Sequence, residues 1–396
     1  MSFPALVLRN KADRRIKGGA LWIYSNEVDT QKTPLKSFVA GDQVEVFNHG
    51  GKSLGLAYMN PHSLICGRLF SRDNEYPLNK SLIVHRLKVA LALRDTLFDK
   101  PFYRLIYGDS DGLPGVVVDR FGDYLVVQIA TAGMERVKDE LVVALEQVLK
   151  PKAIMFKNNS AVREGEGLES YTQEALGEFP DRVLLEENGV AFEAPVLEGQ
   201  KTGWFYDHRM GRSRMQSYVK GKRVLDLFSY VGAWGVQAAV AGAESVTCVD
   251  SSQFALDVAQ DNANRNSVEN FTTLKGDVFS VLKDLIDARE RFDMVIVDPP
   301  AFIKRKKDFN KGFEGYRRLN QLAMRLISKD GFLVSASCSM HLTRENLLDV
   351  VRGAGRQVDR WVQVLESNGQ GPDHPVHPAI PETEYLKTVF ARVTRN

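Results

Sequence analysis

Four short apolar runs between residues 223 and 339 each end in a chemically active residue: RVLDLFS, SVTCVDS, FDMVIVDPP and FLVSASCS. Helix-length segments separate them. Each run is apolar at successive rather than alternate positions, which predicts parallel strands covered on both faces. A chain patterned this way is confined to a doubly wound α/β sheet. In such sheets ligands bind beyond the carboxyl ends of the strands.

The first run leads into Asp226-Leu-Phe-Ser-Tyr-Val-Gly232-Ala-Trp-Gly235. A dinucleotide fold would need G-x-G-x-x-G here, because a pyrophosphate nestles on bare amides at a helix start. Only Gly232 and Gly235 are present, and Asp226 would repel phosphate, so a dehydrogenase is disfavoured. S-adenosylmethionine has no phosphate, and a carboxylate is welcome beside its sulfonium and ammonium. Asp250 ends the second run, 24 residues after Asp226, where an acid can accept from ribose hydroxyls. Asp277, in LKGDVF, is placed to reach an adenine amino group. Any one of these acids is as readily a helix cap or turn residue. Three of them beside a glycine turn point to an S-adenosylmethionine site.

The third run ends in Asp298-Pro299-Pro300, where two prolines fix the departing chain and Asp298 projects toward the methyl group. Phe302 is positioned to stack on a planar base. Related Asp/Asn-Pro-Pro-aromatic sequences serve transfer to amino groups, so this motif alone says only that the acceptor is planar and nitrogenous. The fourth run is more selective. It ends at Cys338 between Ser337 and Ser339. A free cysteine in an apolar run is most often inert, but this one would face the same sheet edge as Asp298. Pyrimidine C5 is a poor nucleophile, and a thiolate adding at C6 activates it. An amine acceptor needs no cysteine, so Cys338 argues for carbon methylation. What would ionise the thiol, and which base takes the C5 proton, are not legible.

Across 396 residues two or three domains are expected. Residues 1–73 are short β-like runs punctuated by glycine and predict a small β-barrel; 74–188 predict an α+β unit; 189–396 carry the doubly wound domain. No run reaches the roughly 18 apolar residues of a membrane span, and the start lacks the pattern of a signal peptide. Three cysteines without metal spacing predict neither a disulfide framework nor a zinc site, and a reducing cytoplasm. A net charge of +2 leaves any nucleic-acid contact to local patches. Two clusters qualify: Arg9, Lys11, Arg14, Arg15 and Lys17; and Lys304, Arg305, Lys306 and Lys307, continuing to Lys311, Arg317 and Arg318. Aromatics beside them, Trp22 and Tyr24 or Phe309, Phe313 and Tyr316, are candidates to stack on unpaired bases. GDSDGLPG (108–115) reads as a turn, and His341, His374 and His377 as loop residues.

Taken together, QKTGWFYDHR (200–209), DLFSYVGAWG, VDPPAF and SCS, with RIKGGALWIYSNEV (15–28) near the start, resemble the bacterial large-subunit rRNA cytosine-5 methyltransferases that carry an N-terminal PUA domain. The likeness runs over essentially the whole chain. It implies a class I, Rossmann-like methyltransferase domain behind a PUA β-barrel and an α+β middle domain. It implies methylation of one cytosine at C5 in 23S rRNA, free or in a large-subunit precursor, with S-adenosylmethionine as donor; self-association stays open. Cofactor residues carry over to Asp226, Phe228, Gly232, Asp250, Asp277, Asp298 and Pro299, and the nucleophile to Cys338. Gln200 and Lys201 open a segment that in the family lies near the cofactor, followed by Gly203, Phe205 and Asp207. One departure stands out. Many RNA cytosine-5 enzymes carry a second cysteine after the proline of the Asp-Pro motif; here position 300 is proline, so product release must use another group. Two other readings remain: transfer to an exocyclic amine of adenine or guanine, and a non-catalytic RNA-binding assembly factor.

Overall fold

The computed structural model describes residues 3–395. They divide into two units, one of residues 3–183, 196–204 and 372–383, the other of 184–195, 205–371 and 384–395. Residues 3–73 and 74–183 therefore share one unit.

In the first unit, strands β1 (Ala5–Val7), β2 (Trp22–Tyr24), β3 (Asp42–Phe47), β4 (Ser53–Met59) and β5 (Ile65–Ser71), with the short helix α1 (Asp13–Lys17), form a five-stranded sheet in the order β1-β3-β4-β5-β2. Val44 and Val46 alternate with half-exposed neighbours on β3 and meet Ile23, Ala57 and Cys66 in its core. That is the pattern of a strand with one covered face; β3 pairs in parallel with β1 and antiparallel with β4. A second sheet follows, built from β6 (Phe102–Tyr107), β7 (Val116–Phe121), β8 (Tyr124–Ile129), β9 (Ala153–Asn158) and β10 (Tyr171–Leu176) in the order β10-β9-β8-β7-β6. Helix α2 (Lys80–Leu97) precedes it; the short α3 (Ala132–Arg136) and α4 (Lys138–Leu149) come between β8 and β9, and α5 (Val162–Gly165) between β9 and β10. Leu87 of α2 and Leu141 and Leu145 of α4 bury against Val118, Val127 and Ile154 of this sheet.

The second unit opens with the hairpin β11 (Arg182–Glu187)–β12 (Val190–Pro195), which enters it at residue 184, and the short α6 (Arg209–Met215). Then come β13 (Arg223–Leu227), α7 (Ala233–Val240), β14 (Ser245–Asp250), α8 (Gln253–Arg265), β15 (Phe271–Lys275), α9 (Val278–Asp287), β16 (Phe292–Val297), α10 (Phe309–Leu326), β17 (Ile327–Ser337), α11 (Arg344–Gln357), β18 (Arg360–Asn368) and β19 (Lys387–Arg395). The sheet runs β15-β14-β13-β16-β17-β19-β18. Its first five strands pair in parallel, and β19 and β18 add antiparallel at the edge. Leu225, Leu227, Val295 and Val297 are wholly buried. After β13 the chain moves out to β14 and β15, then returns to lay β16 and β17 on the other side. The switch point lies between β13 and β16, where ligands bind in open sheets. No helix among the described residues is long and apolar enough to cross a membrane.

Candidate active site

Leu227 and Val297 are register partners, so the ends of β13 and β16 lie side by side. Beyond β13 the backbone turns through left-handed values at Phe228 (φ +61°), Tyr230 (φ +49°) and Gly232 (φ +78°). For the two aromatic residues this costs about 1–3 kcal/mol each, strain of a kind that gathers at functional sites. Gly232 caps α7 in that geometry, and a Cβ on it would meet Ala259 Cβ at 3.0 Å. A Cβ on Gly235 would meet Cys248 Sγ at 2.4 Å.

The three acids of the strand ends have different situations. Asp226 is fully buried; Oδ2 accepts from the Gly235 amide at 2.9 Å, and Oδ1 has no hydrogen-bond partner. Burial pushes its carboxyl up to about 8, against the pull of the Gly235 amide. Half-buried Asp250 accepts from Tyr230 N (3.0 Å) and Ser252 N (2.9 Å), tying the strained turn to β14. Asp277 is exposed and caps α9, accepting from Ser280 N at 3.1 Å.

At the end of β16, Asp298 is held by two residues that the strand pattern does not single out. Trp234 Nε1 donates to Oδ2 at 3.1 Å, and His208 Nε2 lies 3.2 Å from Oδ1. His208 is buried; burial opposes its charge, but the Asp298 carboxylate outweighs this and raises its pKa. The contact thus favours the charged form of the imidazole. Pro299 behind it is buried. Arg212, bound to Glu187, donates to Phe205 O at 2.6 Å, and the Phe205 ring meets Tyr230 edge-on at 5.6 Å. Buried Asp207 accepts from Tyr385 Oη at 2.5 Å. Gln200, Lys201 and Gly203 belong to the first unit, with Lys201 (φ +49°) and Gly203 (φ +98°) in left-handed turns.

Cys338 is the first residue beyond β17, and it is half-buried, whereas Cys66 and Cys248 are sealed in their cores. Val297 pairs with Ser335. Asp298 and Cys338 therefore emerge from neighbouring strands with Cα atoms about 8 Å apart, given a strand spacing near 4.8 Å and a two-residue offset. The flanking serines are anchored from α10: Tyr316 Oη is 2.8 Å from Ser339 Oγ and accepts from Ser337 Oγ at 3.0 Å. From β19, Lys387 Nζ donates to Ser339 O (2.6 Å) and Tyr385 O (2.8 Å).

The structure revises one aromatic assignment. Tyr316 is wholly buried and cannot stack on a base; it braces the cysteine turn. Phe302 is half-buried, its ring 4.7 Å from that of Tyr316 and 6.5 Å from that of Phe279. Nor is His374 a plain loop residue, since it is buried with Nδ1 2.9 Å from Asp373. Both basic clusters are exposed, but several members are paired: Arg15 with Glu27 at 2.8 Å, Lys17 with Asp13, Arg305 with Asp308 at 3.1 Å, while Arg9 donates to Val28 O. Lys11, Arg14, Lys304, Lys306 and Lys307 stay exposed to solvent. Lys306 and Lys307 line a cavity of about 520 Å³ with Phe309, Asn310 and His341.

This sheet order, with a strained turn and carboxylates at the switch point, is that of an S-adenosylmethionine-dependent methyltransferase. The family model of that description matches residues 163–383, and a PUA-like domain model matches residues 6–72. The chain belongs to the ribosomal RNA large subunit methyltransferase I family: it is 36% identical to the member from Aliivibrio fischeri over 98% of this chain and 99% of that one. Identity is 38% to the Photobacterium profundum member (92% and 93% covered) and 34% to that of Escherichia coli (98% and 99%). The fold is also that of a chain from Streptococcus mutans provisionally assigned as a SAM-dependent methyltransferase, at 23% identity and TM-score 0.82 over 98% of this chain and all of that one. It is likewise that of a provisionally assigned methyltransferase complexed with SAH, at 23% identity and TM-score 0.84, covering 99% and 100%. The residues suit a cationic donor: acids surround the switch point, the turn from 226 to 235 contains no lysine or arginine, and Asp226 Oδ1 is a buried acceptor without a donor.

Proposed function

We propose that the chain methylates C5 of a cytosine in 23S rRNA through a covalent adduct between Cys338 and C6 of the base. The relatives' name, ribosomal RNA large subunit methyltransferase I, supports the substrate class. The observation that carries the reading is the half-buried thiol beyond β17, on the sheet edge where Asp298 emerges.

Asp226, Asp250, Asp277, Phe228, Gly232 and Pro299 would hold S-adenosylmethionine, which when bound supplies an electrophilic methyl group. The protein's part is to make a carbon nucleophilic. Cys338 as thiolate forms an S–C6 bond, and the C5=C6 pair moves toward C5. After methylation, loss of the C5 proton and cleavage of S–C6 restore the double bond and free the thiolate. Asp298 keeps lone pairs beyond its bonds to Trp234 and His208, suited to accept from the cytosine N4 amino group. Lys304, Lys306 and Lys307 would hold phosphates near the pocket. A paired cytosine would have to be flipped out to reach the thiol.

Nucleoside mass spectrometry of rRNA from a deletion strain should show the loss of one 5-methylcytidine. Complementation with Cys338→Ser should fail to restore it, with turnover down by ~10³-fold or more. Loss of an N-methylated purine instead, or near-normal transfer by Cys338→Ser, would favour an exocyclic-amine acceptor.

A further inference from the structure

A cysteine nucleophile must be ionised at working pH, and a thiol ordinarily titrates near 8.5. Something close to Cys338 has to favour the thiolate. The neighbourhood narrows the choice. Tyr316 is a buried phenol whose pKa burial raises, so it stays neutral. Arg344 is drawn to Glu384 (3.5 Å) and to Ser367 Oγ (2.5 Å). Helix α11 starts only at Arg344, six residues beyond the thiol.

Lys387 has a more specific geometry. Its Cα is the register partner of Ser337, the residue before the cysteine, and its Nζ donates to the carbonyl of Ser339, the residue after it. Lys387 therefore spans the cysteine from the adjacent antiparallel strand, its backbone beside Ser337 and its ammonium on Ser339. It is 5% exposed, and no carboxylate forms an ion pair with it among the described residues. Its two carbonyl acceptors use two of three N–H donors. A buried cation without an anion is costly, and a neighbouring thiolate relieves that cost.

We propose that the Lys387 ammonium stabilises the Cys338 thiolate and so acts as a positioning residue for the nucleophile. This rests on the reading of Cys338 as the attacking group. The charges facing Lys387 are consistent with it. Burial lowers its pKa to about 8, while negative charge at Cys338 and Glu384 raises it and Arg344 lowers it. The lysine and thiolate charges thus favour each other.

The test is the pH dependence of iodoacetamide alkylation at Cys338, read by peptide mass spectrometry on the full chain without donor. In the wild type the thiol should titrate clearly below 8.5. Lys387→Met should move it up by at least one unit and slow alkylation at pH 7 about tenfold; Lys387→Arg, which keeps the charge, should largely preserve the low value. A lysine that only fastened two carbonyls would shift melting temperature and leave the profile in place. A wild-type thiol titrating at or above 8.5 overturns the proposal without any variant, as does an unchanged profile in Lys387→Met. Methyl transfer surviving in Cys338→Ser would instead remove the nucleophile reading and leave the measured lysine–thiol coupling intact.

Discussion

Each unit of the molecule buries one lysine in the same manner, and the two have different consequences. Lys157 in β9 is 1% exposed and donates to the carbonyls of Val196 and Gly199. Lys387 in β19 donates to those of Ser339 and Tyr385. Burial lowers both to about 8. Around Lys157 burial alone accounts for the shift, whereas around Lys387 a thiol, a carboxylate and a guanidinium also act. The first lysine is a fastener for the turn after β12. The second has the same bonds and a half-buried thiol in its surroundings besides. Hydrogen bonding alone does not distinguish a structural ammonium from one that prepares a reaction; the charges within reach do.

That contrast fails if the two lysines behave alike. At pH 10, Lys157→Met should destabilise the protein by about 2–4 kcal/mol in denaturant melts, since two buried carbonyls lose their donors. It should leave the alkylation profile of Cys338 unmoved; a shift comparable to that of Lys387→Met would erase the distinction.

A smaller effect lies in pH. Each folded-state lysine value, about 8, is below the unfolded value near 10.5. Between these the unfolded chain binds more protons, so stability rises with pH across that window. The neutral amine still has two N–H groups, one per carbonyl, so deprotonation breaks neither bond. We expect a gain of about 2 kcal/mol from Lys157 between pH 8 and 10, abolished in Lys157→Met. A flat wild-type curve that the variant fails to change would contradict this.

The smallest effect concerns exposed lysines, which should differ from both buried ones. Lys306→Ala and Lys307→Ala should leave melting unchanged. Each should reduce the slope of log affinity for rRNA against log salt by about one. An unchanged slope would mean that the basic run after Asp298 does not touch phosphate.

Much of the site was readable from strand ends alone. Asp250, Asp298 and Cys338 stand where apolar runs stop, and the sheet order puts those stops around one switch point. Asp277 was readable as an acid at a strand end, yet its visible work is to cap α9. The partners were harder to see. His208 lies inside a motif that the chain displays openly, but nothing local indicates that its ring meets Asp298, 90 residues on. Tyr316 resembles Phe309 and Phe313 in sequence, but it is wholly buried where they are only half-buried. Lys387 reaches the cysteine turn from 48 residues beyond Ser339, because β19 runs back antiparallel beside β17.

The chain's own pattern determined the alternation of strands and helices, the parallel sheet, and which acids and thiol would reach its carboxyl edge. These follow from local periodicity and from solvent exclusion, both encoded within a few residues. The tertiary structure alone decided the surroundings of those groups: Asp226 sealed under its turn, Asp298 held by His208 and Trp234, Cys338 followed by a serine whose carbonyl takes the Lys387 side chain. Charge states depend on distance and dielectric among residues far apart in sequence, and only the folded chain fixes those distances.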